Sequence, residues 1–374
     1  MGKEKVEKKK SVAEDIETSA DTDKVENNRI SRRDLLSTGS TLLNLACSDN
    51  PFGGFLKGKY YFLVGDSASG KTFLSMTCFA EAMSNKYFQN YRLIYDNVED
   101  GCLMDVENLF GKAVAERLEF PAKAEDGSPV FSYTVEEFYY HLDDALKEGE
   151  PFIYVLDSMD GLSSEFEGEK FDQNKDAYYK GKETPGSYGD GKAKKNSEGL
   201  RKVLNGLRET GSILIILSQT RDNFGMSFEK KTRSGGHALR FYSTVEIWTS
   251  ITGHIKKTIH GKDKIVGVHV GAKVKKNRIT GKVREVEIDI YPAYGIDDIG
   301  TSIDYLVEEG WWERKKQSIE AGEFDVVATR EKLIEMVEEN KWENELCSIV
   351  GKCWKLIESA SIPKRKSRYS YNGQ

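Results

Sequence analysis

Four stretches of the chain are apolar almost without a break: 59–64 (Lys-Tyr-Tyr-Phe-Leu-Val), 91–96, 151–157 and 212–219. Runs of this length and continuity predict strands buried on both faces, as in a parallel sheet. Between them the apolar positions fall at helical spacing. Residues 73–80 continue as a helix former, 135–146 is amphipathic, and 198–210 sets Leu200, Val203, Leu204 and Leu207 on one face. Strands alternating with helices predict a doubly wound α/β domain. Later the pattern changes. Residues 244–249, 266–278 and 283–291 alternate between apolar and polar with no helix between them, which predicts an antiparallel edge.

Other segments carry no such pattern. Residues 1–28 are almost all charged or small, which predicts a disordered tail. A turn, Ser37-Thr38-Gly39-Ser40, enters an apolar helix over 41–45. Residues 163–197 are rich in Gly, Lys, Asp and Tyr and nearly lack aliphatics, and 220–236 is polar and basic. Both are expected to be loops, the first of a length that inside a compact domain is usually functional or disordered. Residues 303–307 and 330–342 are helical in pattern, and 363–368 is a basic tail. The expected organisation is a tail over 1–30, a core over 31–296, and a small C-terminal α(+β) unit over 297–374.

Composition adds limits. The 374 residues allow a large domain and a smaller one, and 38% hydrophobic with 31% charged residues fits a soluble protein. No apolar run reaches the roughly 20 residues of a membrane span. The charged start has no leader-like apolar core. Cys47, Cys78, Cys102, Cys347 and Cys353 are scattered without zinc spacing, so they are read as reduced thiols, and the five histidines lack metal-ligand spacing too. The expected location is therefore cytoplasmic. The net charge of −6 argues against nucleic acid on average, yet residues 221–282 hold 14 Lys and Arg against 4 Asp and Glu. A basic channel can lie on an acidic protein, because phosphate answers to the local field.

The densest chemistry lies after the first apolar run. Gly65-Asp66-Ser67-Ala68-Ser69-Gly70-Lys71-Thr72 reads G-x-x-x-x-G-K-T between a strand and a helix, a loop that cradles phosphates. Helix-start amides lack internal partners and point their positive dipole at an anion. Gly65 and Gly70 let the backbone approach. Lys71 reaches the outer phosphates, and the Thr72 hydroxyl holds Mg²⁺. Asp157, at the tip of an apolar strand, would hold that ion through water. Hydrolysis needs a carboxylate to orient water; Glu99 is the first candidate and Asp96 the second. Gln219 ends the neighbouring strand, where an amide can sense the γ-phosphate and report to the loop beyond it. ATP and Mg²⁺ are the expected cofactors.

In order and spacing over residues 36 to about 311, these features resemble the RecA family of ATP-dependent DNA recombinases, in its bacterial and phage branch. The likeness rests on Gly65 to Thr72, Val155-Leu156-Asp157-Ser158, Ser218-Gln219-Thr220-Arg221, Ser234-Gly235-Gly236-His237-Ala238-Leu239-Arg240-Phe241-Tyr242 and Lys273-Val274-Lys275-Lys276-Asn277-Arg278-Ile279. It implies a RecA-like P-loop core: a mostly parallel twisted sheet flanked by helices, with antiparallel edge strands. It implies a first DNA-binding loop that includes residues 186–197. It implies a second over 221–236, where Arg221, Lys230, Lys231 and Arg233 supply charge and Gly235 and Gly236 supply amides. Lys276 and Arg278, with Arg240 beside them, would reach the ATP of a neighbouring subunit as arginine-finger equivalents. The resemblance also implies single-stranded DNA and homologous duplex as partners, a helical filament, no membrane, and a bacterial or phage-infected cell.

The chain departs from the pattern in places. The 96–99 stretch is one residue longer than the family's aspartate–x–glutamate, and the first loop is enlarged and Lys-rich. Two other readings stand beside the recombinase: a ring-forming helicase-type motor on the same core, and a nucleotide-gated regulatory or loading module.

Overall fold

The structure is a computed structural model that describes residues 30–99, 104–182, 191–222, 231–233, 236–363 and 365. The chain divides into two compact units, Arg32–Thr301 and a second formed from Ser302–Gln374 with Met1–Ser31. Among the described residues no helix is long and apolar enough to cross a membrane. Cys47, Cys78, Cys347 and Cys353 are free thiols, and Cys102 lies outside the described residues.

In the larger unit the apolar runs become strands β1 (Tyr60–Gly65), β2 (Arg92–Asn97), β4 (Phe152–Asp157) and β5 (Ile213–Asp222), with a short β3 (Leu118–Glu119). Four more follow: β6 (Lys231–Arg233), β7 (Val245–Ile259), β8 (Lys262–Asn277) and β9 (Arg284–Tyr291), then the short β10 (Gly295–Ile296). They form one sheet in the order β10-β9-β8-β7-β1-β5-β4-β2-β3, with β6 paired to β5. The run from β7 through β1, β5, β4 and β2 to β3 is parallel, and the β7-β8-β9-β10 side is antiparallel. The sheet is thus mixed and mostly parallel at its centre, as expected of a RecA-like α/β core. The β7–β8 hairpin runs well beyond the alternation read from 244–249.

One face of the parallel strands buries Tyr60, Phe62, Val64, Tyr154, Leu156, Leu214 and Ile216 against helices α3 (Val135–Lys147) and α5 (Gly191–Thr210). The α2 helix (Lys71–Ser84) packs on β1, β4 and β5, burying Leu74, Met76, Cys78 and Phe79. Strands covered on both sides explain why their sequences do not alternate.

A polar reading gave way within residues 163–197. They contain α4 (Glu165–Tyr179), closed by a capping box between Ser164 and Glu167, and the first turns of α5. The α4 helix has no buried residue, so no apolar stripe announces it; its cap and charged side chains hold it instead. In the second unit a three-stranded antiparallel sheet (Glu313–Lys315, Ser318–Ala321, Val326–Thr329) is followed by helices Arg330–Asn340 and Glu343–Ala360. There Phe324 and Trp342 stack at 4.7 Å.

The α1 helix (Thr41–Ser48) is fixed at both ends. Its last carbonyls accept from Arg284 Nη1 (to Leu45, 3.0 Å) and Asn277 Nδ2 (to Cys47, 2.9 Å), the cation also complementing the dipole. At its start Asp298 accepts from the Thr41 amide at 2.6 Å and the Thr41 hydroxyl at 2.7 Å. Burial pushes the Asp298 carboxyl up from 3.8 to about 6; the Thr41 hydrogen bonds oppose this and Glu81 and Asp297 add to it. Between those two values the folded chain holds more protons here than the unfolded chain, so Asp298's contribution to stability falls as pH rises from about 4 to about 6. Asp298→Asn removes that titration. Urea unfolding midpoints of the variant relative to wild type should rise across this window and level off above it. A difference that stays constant from pH 4 to pH 7 contradicts the assignment.

Candidate nucleotide-binding site

The site is built where the parallel strands end. In the sheet register Gly65 pairs with Gln219 and with Thr249, and Asn97 pairs with Asp157, so the ends of β1, β5, β4 and β2 share one edge. From β1 the chain turns through Asp66, Ser67, Ala68, Ser69 and Gly70 into α2. A Cβ on Gly65 would stand 2.2 Å from Thr249 Oγ1 and 2.4 Å from Ser69 Oγ, and one on Gly70, at φ +83, would stand 2.7 Å from Ile290 Cδ1. Both positions therefore demand glycine. Ala68 adopts φ 59, a left-handed conformation that costs an L-residue about 1–2 kcal/mol. Ser67 and Ala68 are exposed and Ser69 is buried, held by a 2.7 Å hydroxyl contact with Thr249. Gly70 caps α2 without a side-chain hydrogen bond, so no side chain competes for the first-turn amides through the cap.

Lys71 is nearly buried and donates to the carbonyls of Gly65 at 2.9 Å and Asp66 at 2.8 Å. Burial lowers its pKa, opposed by the charges of Asp157, Asp160, Glu99 and Asp66. Thr72 Oγ1 donates to Asp157 Oδ2 at 2.7 Å, and Tyr95 OH donates to the same oxygen at 2.9 Å. Burial raises the Asp157 pKa, the two hydroxyls pull it down, and Glu99 pushes it up. A hydroxyl and a carboxylate side by side at a helix start suit a hard divalent cation. The crowd of carboxylates about one ammonium also calls for such an ion, because a triphosphate would add more negative charge to the same space.

The two candidate water-orienting acids have different surroundings. Glu99 is exposed, accepts from the Ser158 hydroxyl, and is 3.4 Å from Gln219 Nε2 through each of its oxygens. Asp96 is enclosed. It accepts from Ser132 N at 3.0 Å, Ser132 Oγ at 2.6 Å and Tyr154 OH at 2.8 Å, and burial raises its pKa against those bonds. Gln219 is also fixed through its amide, which donates to Asp160 Oδ2 at 2.6 Å. Thr220 in turn donates to Asp66. Tyr95, Asp160 and Thr249 enter the site unforeseen. Asp160 lies only three residues beyond Asp157, but the other two depend on strand neighbours that no motif discloses.

A second cluster surrounds α6 (Gly236–Tyr242). Lys276 donates to the carbonyls of Arg240, Phe241 and Ser243, the last two at 2.8 and 2.7 Å. Arg278 Nη2 donates to Phe241 O at 2.7 Å, and Arg240 Nε lies 3.1 Å from the fully buried Glu246 carboxylate. Lys276 and Arg278 satisfy the helix's C-terminal carbonyls. Lys276 pairs with Glu246, which pairs with Phe62, three residues before Gly65. That sets the cluster roughly 10 Å back along the strands and two strand spacings across from the chain's own phosphate loop.

The loop residues are only partly described. Lys230 and Gly235 lie outside the described residues, as do 186–190 of the first loop. Arg221 is exposed, 3.8 Å from Asp160, and the backbones of Lys231 and Arg233 pair with Asp222 and Thr220. Gly236, at φ +79, comes so near the first turn of α5 that a Cβ would stand 2.7 Å from Ala193 Cβ. The end of the second loop therefore touches the helical part of the stretch assigned to the first.

The family model of the RecA N-terminal domain matches residues 180–297. Protein RecA of Cytophaga hutchinsonii is 30% identical over 285 residues, spanning 74% of this chain and 69% of that protein. Protein RecA of Caulobacter sp. strain K31 is 28% identical over 307 residues, spanning 78% and 75%. Protein RecA of Thermus thermophilus is 26% identical over 309 residues, spanning 82% and 81%.

If Asp96 is held for structure, removing one of its donors should cost stability. Tyr154→Phe leaves a buried carboxylate short of a hydrogen bond and is expected to lower unfolding free energy by about 1–3 kcal/mol. Chemical denaturation measures this. An unchanged midpoint would mean that Asp96 does not depend on the bond.

Proposed function

The chain belongs to the RecA family, and from that premise we propose that it is an ATP-dependent recombinase that coats single-stranded DNA as a filament and drives homologous pairing and strand exchange. The observation that carries the reading is the separation of its two cationic groups. Lys71 lies at the phosphate loop among four carboxylates, while Lys276, Arg278 and Arg240 gather at the far end of the neighbouring strands. One ammonium leaves a triphosphate's charge poorly matched, and Lys276, Arg278 and Arg240 are engaged around α6 and not at the chain's own loop. A second copy bringing them to the nucleotide completes the site.

In this reading the first amides of α2 and Lys71 receive the outer phosphates. A bound Mg²⁺, held by Thr72 and by Asp157, would neutralise charge on the phosphate oxygens. Glu99, accessible and bonded by Ser158 and Gln219, orients water; Asp96, enclosed by three donors, supports the strand edge instead. Gln219 links Glu99 to the second loop, because its backbone continues into Thr220 and Arg221. Lys276 and Arg278 hold the end of the helix that follows that loop, so cations drawn toward a neighbour's nucleotide would act on the DNA-binding segment directly. Arg221, Lys230, Lys231 and Arg233 then hold the DNA backbone, with Gly235 and Gly236 allowing close approach.

Lys71→Ala is expected to lower hydrolysis of ATP stimulated by single-stranded DNA by about a hundredfold or more, a loss typical of a donor aimed at developing charge. Near-normal turnover would remove the phosphate-loop assignment. Assembly is tested by negative-stain imaging of the protein with single-stranded DNA and a non-hydrolysable ATP analogue. Helical filaments are expected. Closed rings would favour the helicase-type motor, and isolated particles the regulatory or loading module.

A further inference from the structure

On the antiparallel side of the sheet, His269 of β8 stands directly opposite Asp289 of β9, with Glu287 two residues away on the same face. His269 Nδ1 is 2.6 Å from Asp289 Oδ1 and 3.7 Å from Glu287 Oε1. One donor atom from each of the three lies within 4.8 Å of the others. The Asp289 side chain is only 11% exposed, whereas Glu287 is open to solvent. Thr252 of β7 donates to Glu287 Oε2 at 2.6 Å and so holds the carboxylate that solvent would otherwise leave mobile.

The backbone around the three side chains is kept bare. Gly253 lies opposite His269 on β7, and a Cβ there would stand 3.1 Å from the imidazole Cδ2. Gly271 lies opposite Glu287, and a Cβ there would stand 2.8 Å from the Thr252 methyl. Side chains at either position would press on the imidazole or on the residue that orients Glu287.

We propose that His269, Glu287 and Asp289 form a binding site for a divalent transition-metal cation of the zinc class, separate from the Mg²⁺ expected at Thr72 and Asp157. One imidazole nitrogen and two carboxylate oxygens bind such ions at about 2.0–2.2 Å, which sets the donors roughly 3 Å apart around a shared ion. The observed separations, from 2.6 Å to at most 4.8 Å, bracket that spacing. Two carboxylates balance the ion's charge. The nitrogen donor selects against Mg²⁺, which takes oxygen ligands and keeps its waters. Three protein ligands leave a position for water.

The site has a structural consequence. Val270 and Ile290, next along the chain from His269 and Asp289, point to the other face of the sheet, where they line the approach to Gly70. A cation bridging β8 and β9 thus fixes the two strands that back the phosphate loop.

The test is calorimetric titration of the full-length, nucleotide-free protein with Zn²⁺ alone, in a large excess of Mg²⁺ to occupy oxygen-only sites. One zinc per chain is expected. The site should vanish in His269→Ala and in Asp289→Asn, weaken about tenfold in Thr252→Val, and persist in Cys347→Ser. Zinc should also raise the unfolding temperature of the wild type and leave that of His269→Ala unchanged. Circular dichroism checks that each variant folds, and either ligand variant suffices if the other does not. Absence of zinc binding by the wild type, or its retention in a folded ligand variant, overturns the proposal.

Discussion

The register between β1 and its two parallel neighbours governs everything else in the larger unit. Gly65 pairs with Gln219 on one side and Thr249 on the other, and the same ladder carries through β4 to β2. Since successive side chains face opposite ways, a slip of one residue would turn Asp157 from Thr72 toward the opposite layer and bury polar groups among Phe138, Leu200 and Leu239. The apolar faces on both sides of the strands exclude that slip far more strongly than any contact at the site could. The polar groups at the strand ends are held in place by hydrophobic residues several positions away.

Given that register, the electrostatics follow from crowding. Asp66, Glu99, Asp157 and Asp160 all act on one nearly buried lysine, and Lys71 turns to the loop's own carbonyls. Burial makes the charged forms of both Lys71 and Asp157 costly, so each would gain from a counter-ion in the same space. Such a place favours a ligand that brings its own anions and a cation together. At the end of β8 and just beyond it, Lys276 and Arg278 are engaged with helix carbonyls, and losing that hold would loosen the end of the helix behind the second loop.

Much of this could be read from residues alone, and the limits have physical causes. The strand-to-helix turn at 65–72 was legible because its signal is local: two glycines, a lysine and a hydroxyl within eight positions. The four buried strands were legible because burial on both faces leaves an uninterrupted apolar run. The α4 helix was not, since a helix that buries nothing has no stripe to find. Nor was the enclosure of Asp96, whose donors Ser132 and Tyr154 come from distant parts of the chain. Histidine spacing gave no hint of a metal ligand either, because His269 meets Asp289 across a strand pair, twenty positions on, and not within a local motif.

The β8 strand ties these observations together. Its Lys276 end supports the helix after the second loop, and its middle carries Val270 behind Gly70 on one face and His269 on the other. Within the sheet β8 lies between β7 and β9, and its last residue, Asn277, also holds the end of α1. Whatever ties β8 to β9 therefore limits how far the Lys276 end can move relative to the phosphate loop. Glu285 already bonds Lys273 at 2.9 Å across the same pair, and His269 bonds Asp289 at 2.6 Å four residues back. Polar cross-strand pairs of this kind are individually weak and add to the backbone ladder that already joins β8 to β9. Lys276 and the Val270 side chain that stands behind Gly70 are thus carried by one strand.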